Sequence, residues 1–158
     1  MSCMSADRRR FGLDTNILVY AVEAGGGEKC RRAETIVRRA VATRRCVLAL
    51  QSIGEFYTAC VRKRRGPPEA VASRAGDFGR LFETAAASMD AVRAALAEAA
   101  AARFSYWDAL LLATLGRAGC AVVLSEDMRD GAALAGVVVR DPFVGDRLPD
   151  EVEALLAI

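Results

Sequence analysis

The chain has 158 residues, 53% of them hydrophobic and 27% charged, with a net charge of +2, which suits one globular domain with its own core and excludes a disordered chain. It contains no histidine, which excludes Ser-His-Asp and Cys-His nucleophiles, a histidine general base and histidine-bound zinc. Its five cysteines are dispersed without a Cys-x-x-Cys and read as reduced thiols, and no apolar run approaches the roughly 18 uncharged residues of a membrane span.

Residues 1–10 form a polar, basic N-terminal arm ending in Arg8-Arg9-Arg10, without the apolar core of a signal peptide; the expectation is a cytoplasmic protein. A first strand over 9–13 ends at Asp14, and Thr15-Asn16 opens a short helix over 17–22. Gly25-Gly26-Gly27 is a loop but not a phosphate-binding one, since no Gly-Lys-Ser/Thr follows. An amphipathic helix over 28–44 carries Ala33, Ile36, Val37, Ala40 and Val41 on one face, and a buried strand covers 46–50. Ser52 is expected to cap a helix over 53–64, with Glu55 three residues on. Gly66-Pro67-Pro68 interrupts the chain and starts the next helix, which runs to about 82. A short strand at 84–87 and an alanine-rich helix over 90–102 follow. Ser105 caps a helix over 106–118 that Gly119 closes. The last elements are a strand over 121–125, a turn at Asp130-Gly131, a buried strand over 136–140 and a terminal helix over 149–156. Strands alternating with helices imply an α/β layer structure with a mainly parallel sheet.

Four carboxylates stand where apolar stretches end or turn: Asp14, Glu55, Asp108 and Asp127. In a parallel sheet, ligands bind beyond the carboxyl ends of the strands, and all four segments open onto that edge. Each acid has a structural alternative: an Asx turn for Asp14, a capping box with Ser52 for Glu55, the helix dipole for Asp108, a turn for Asp127. Their joint placement favours a shared site, and gathered carboxylates repel unless a hard divalent cation neutralises them. Glu126 reads as a turn residue and Asn16 as a structural cap. The basic residues cluster in the N-terminal half and are nearly all arginine, which suits a polyanionic partner. Arg31, Arg32, Arg62 and Arg64 are the candidates for contacting phosphates.

The segments Leu13-Asp14-Thr15-Asn16-Ile17-Leu18, Glu55, Trp107-Asp108-Ala109 and Leu124-Ser125-Glu126-Asp127-Met128 together resemble the PIN domain, and within it the VapC-type toxins of bacterial toxin-antitoxin pairs. The resemblance covers roughly 11–143. It implies a PIN-like α/β/α sandwich over 11–145, with 146–158 adding a C-terminal helix packed on the same domain. It also implies an endoribonuclease that uses Mg²⁺ or Mn²⁺, with Asp14, Glu55, Asp108 and Asp127 as its acidic site. Asp14, Asp108 and Asp127 are the expected metal ligands, Glu55 a ligand or the base that orients water, and Thr15 and Ser125 the hydroxyls that fix these carboxylates. The implied partners are RNA, a small VapB-like antitoxin and a second copy of the chain. The chain departs from such toxins in a longer basic arm and an extended loop at 24–27, which bear on substrate choice. The competing readings are a non-catalytic protein-binding module and a metal-dependent nuclease acting on DNA. A phospho-acceptor domain is disfavoured, because the only lysines are Lys29 and Lys63 and neither follows a late strand.

Overall fold

The structure, a computed structural model, describes residues 8–158. Most of the N-terminal arm therefore lies outside the described residues; Arg10 already belongs to the first strand. In chain order the elements are β1 (Arg10–Leu13), α1 (Thr15–Ala21), α2 (Gly27–Thr43), β2 (Cys46–Ala49), α3 (Leu50–Arg62), α4 (Pro68–Leu81), β3 (Glu83–Ala85), α5 (Met89–Ala100), α6 (Tyr106–Arg117), β4 (Cys120–Leu124), β5 (Ala133–Leu134), β6 (Val137–Arg140) and α7 (Asp150–Leu155). The strands form one sheet in the order β3-β2-β1-β4-β6-β5. Every pairing is parallel except β5 with β6.

The central strands β1, β2 and β4 are buried on both faces, which is why they read as continuous apolar runs rather than alternating ones, whereas the edge strands β3 and β5 are largely exposed. On β2, Cys46 and Leu48 enter one core with Phe11, Leu13, Ile36, Phe56 and Phe78, while Val47 and Ala49 enter a second with Leu111, Leu112 and Leu115. The first core lies under α1 to α4, and α7 contributes Val152 and Leu155 to it. The second is covered by α6. The layers are thus helices, sheet, helices. Behind α6, α5 packs through Ala91 and Ala95 against Ala109 and Ala113, small residues that let the two helices approach closely. Among the described residues no helix is long and apolar enough to cross a membrane.

Local chemistry sets most boundaries. Asp14 caps α1, Ser88 caps α5 and Ser105 caps α6, each accepting from a backbone N–H of the first turn. Helix α3 is different. It leaves β2 directly from Ala49 without a side-chain cap, so Ser52 lies inside the helix and buried rather than at its start. Strand β6 and the turn at Asp130-Gly131 match the sequence reading, but β5, which pairs with β6 as a hairpin, has no counterpart in it. Gly131, at φ +82°, turns the chain into it and donates to the Val139 carbonyl at 2.9 Å. The hairpin tip rests on α6, where a Cβ on Gly116 would lie 2.4 Å from the Ala135 carbonyl oxygen.

Candidate active site

Parallel strands β1 and β4 run side by side, with Leu13 opposite Leu124. Asp14 and Ser125 are the next residues, so both sit at the carboxyl edge of the sheet. The Asp14 N–H donates to the Leu124 carbonyl at 2.9 Å, and the Ser125 N–H to the Arg140 carbonyl at 3.0 Å. Asp14 as a whole is 8% exposed. Its carboxylate accepts from the Thr15 N–H and from the Ser125 hydroxyl, both at 2.7 Å. Burial pushes its pKa up to about 6; those two hydrogen bonds oppose the shift, and the charges of Asp127 and Asp108 add to it.

Glu55 reaches the same place from α3. Its register on that helix is the sixth residue, beyond the first turn, so it does not close a capping box with Ser52. One carboxylate oxygen accepts from the Thr15 hydroxyl at 2.9 Å and the other from the Gln51 amide at 2.9 Å. The same Gln51 amide donates to the Trp107 carbonyl at 3.1 Å, tying α3 to the start of α6, where Asp108 stands. A cleft of about 450 Å³ brings Asp14, Glu55, Asp108 and Asp127 together, with Asn16 among its other lining residues and Arg62 and Lys63 on its wall. A second cleft of about 510 Å³ shares Asp108 and Asp127 and is bounded by Ser105 and Arg129.

A hard cation suits this donor set. The groups are all oxygens, and Asp14 is a buried carboxylate whose hydrogen-bond partners are all neutral. The acids line an open cleft; among the described residues no three of them close into a tight cage. A cation that keeps several of its own waters, as Mg²⁺ does, needs no such cage.

A model of the PIN domain family matches residues 12–132, a span that includes all four acids and Ser125. The chain belongs to the PIN domain family. Several solved structures share the fold, among them the following two. A toxin-antitoxin complex from Klebsiella pneumoniae is 19% identical with a TM-score of 0.56, covering 80% of this chain and 94% of that one. Mycobacterium tuberculosis VapC20, described as a Sarcin-Ricin loop cleaving toxin, is 17% identical with a TM-score of 0.57, covering 72% of this chain and 86% of that one. No curated protein matches.

Within this PIN domain several residues stand differently from their sequence reading. The cap of α1 is Asp14, and Asn16 instead spans Asp14 and Ser125, its amide 3.5 Å from each. The Asn16 Oδ1 is buried without a partner. Glu126 is no free turn residue. Lys29 of α2 pairs with it, and that ammonium lies 5.3 Å from the Tyr20 ring and 5.5 Å from the Phe143 ring. Burial would raise the Glu126 pKa, but hydrogen bonds from Lys29 and Tyr20 outweigh it and hold the carboxyl below its usual range. Burial and Glu126 together push the Tyr20 hydroxyl to about 12.

The four candidate arginines separate. Arg62 lines the acidic cleft. Arg31 and Arg64 are exposed but do not line it. Arg32 is committed to the fold: it pairs with Glu28 at 3.2 Å and donates to the carbonyls of Pro142, Gly145 and Arg147 at 3.3, 3.1 and 3.4 Å. Lys63 was not singled out, yet it shares the cleft wall with Arg62. Helical spacing could have ranked them, since Glu55, Thr58, Ala59 and Arg62 follow at i, i+3, i+4 and i+7 and all face the cleft.

Proposed function

We propose that this PIN domain is a metal-dependent endoribonuclease that hydrolyses RNA phosphodiester bonds, the toxin of a type II toxin-antitoxin pair. The observation that carries the reading is a cleft with four carboxylates, one of them buried without a cationic partner, beside two basic side chains in a chain without histidine. Asp14, Asp108 and Asp127 would hold Mg²⁺ or Mn²⁺. When bound, such an ion polarises a phosphoryl oxygen and makes a nucleophile of water at neutral pH. Ser125 and the Thr15 N–H hold Asp14 in register, and Asn16 spans it from the cleft side. Glu55, fixed by Thr15 and Gln51, orients the attacking water. Arg62 and Lys63 bind flanking phosphates and offset the repulsion between the acids and RNA.

The partner assignment is part of the proposal. A small VapB-like antitoxin would block the cleft, and the chain would act as a homodimer. The support is the fold shared with a structure described as a toxin-antitoxin complex. The decisive experiment is cleavage of single-stranded RNA and DNA with Mn²⁺, with EDTA, and by the Asp14→Asn and Asp108→Asn variants. Hydrolysis should need the metal and both acids, should be confined to RNA, and should leave 5′-phosphate ends. Full activity in EDTA, or in Asp14→Asn, would reject the mechanism; cyclic phosphate ends would indicate attack by the RNA 2′-hydroxyl.

A further inference from the structure

We propose that the indole of Trp107 is a stacking platform for one nucleobase of the strand whose phosphate enters the acidic cleft. The inference rests on the endoribonuclease reading and adds a binding subsite to it. Trp107 is the chain's only tryptophan and is 60% exposed, whereas Phe11, Phe56, Phe78 and Phe82 are all buried in the core. Trp107 belongs to none of the three core clusters, so most of its large aromatic surface is left in water.

It is nevertheless held still. Tyr106 packs on it edge to face, with ring centroids 4.9 Å apart and planes at 73°. Its backbone sits in the first turn of α6, and its carbonyl accepts from Gln51 at 3.1 Å. The same Gln51 amide orients Glu55 at 2.9 Å, and the next residue, Asp108, lines both clefts. The backbone that carries the indole is therefore tied to the same Gln51 that orients Glu55, and the indole stands next to Asp108 at the border of the clefts rather than in their walls.

The charge of the site gives such a platform a purpose. Carboxylates repel the phosphate they must cut, and Arg62 and Lys63 compensate only in a salt-dependent way. Stacking on an aromatic face is neutral, sequence-tolerant and available to any unstacked base. RNA bases splayed out of a helix are the form in which single strands are normally bound. The exposed indole offers an apolar face wide enough for a planar base, beside the polar Gln51 and Asp108 and with the exposed Leu50 one residue before Gln51.

A lone tryptophan makes the test direct, because all indole fluorescence reports on this position. The Asp14→Asn protein in EDTA should show quenching when titrated with mixed-sequence single-stranded RNA oligonucleotides. In the active enzyme, Trp107→Ala should raise KM about 5- to 100-fold and leave kcat within about twofold, while Trp107→Phe stays near wild type. An abasic nucleotide beside the cut should raise KM for wild type and not further for Trp107→Ala, a coupling that a purely structural role would not produce. An unchanged KM in Trp107→Ala, or no quenching at saturation, overturns the proposal. So does an indole already shielded in an RNA-free dimer that Trp107→Ala dissociates, which would make Leu50 and Trp107 a contact between copies. If the wild-type protein cuts no RNA, it is the functional reading that fails; if it cuts RNA with Trp107 indifferent, only the platform fails.

Discussion

The buried charge of Asp14 should make the metal-free protein weaken as the pH rises. Its carboxyl titrates near 3.8 in the open chain and at about 6 in the fold. A folded pKa above the unfolded one means that stability is complete below the unfolded value and is lost as pH climbs through the folded one. The difference corresponds to about 3 kcal/mol in full, most of it developing between pH 4 and pH 7. Asp14→Asn removes the charge and keeps an oxygen for the Thr15 N–H, since Asn caps helices as well as Asp. It weakens the bond from the Ser125 hydroxyl, a loss of about 1 kcal/mol, so the net gain at pH 7 is about 2 kcal/mol. For a domain of this size that is roughly 4–8 °C in Tm. Thermal unfolding of both proteins in EDTA from pH 4 to pH 7.5 would read it. With no histidine in the chain, no imidazole titrates within that window. The gap should open with rising pH, and saturating Mg²⁺ or Mn²⁺ should narrow or reverse it by stabilising only the wild type, by about 2.7 kcal/mol at 100 times Kd. A variant that is less stable at pH 7, or a gap that closes as pH rises, would refute the reasoning.

Glu126→Gln should lower the cleavage rate about tenfold by loosening the segment that carries Asp127, with less than about 1 kcal/mol lost in stability. The exchange Lys29→Glu with Glu126→Lys should recover part of that rate in the same assay. Gly116→Ala places a methyl group against the Ala135 carbonyl and should cost about 1–3 kcal/mol by calorimetry; an unchanged Tm would contradict the close approach. Arg62→Ala and Lys63→Ala should each weaken RNA binding and flatten the plot of log affinity against log salt by about one. An unaltered slope would remove both from the phosphate path.

The parts of this molecule that follow from local chemistry were legible in its sequence. Asp14 ends a strand and caps a helix, Ser105 caps α6, Pro68 opens α4, and the mainly parallel sheet follows from the alternation of elements. The misreadings came where distant contacts decide. Ser52 has the profile of a cap, a hydroxyl before an apolar run, but α3 is held by packing from its first turn and needs none. Strand β5 has two residues, too few to carry any periodicity. Arg32 and Arg62 look alike along the chain; one is tied to carbonyls more than 100 positions away and the other faces the cleft. Lys29 and Glu126 are 97 positions apart, and no spacing rule connects them.

The hydrogen bond from Ser125 to Asp14 joins positions 111 residues apart, across two strands at the middle of the sheet. The first strand made therefore waits for the fourth of six before it has both its neighbours. A chain growing from its N-terminus exposes Asp14 and Glu55 well before Asp108 and Asp127 exist, and β1 gains its second partner only when β4 has emerged. The cleft that gathers the four carboxylates is complete only after Asp127 has been added, and on the ribonuclease function proposed above a nascent chain lacks the whole site until then.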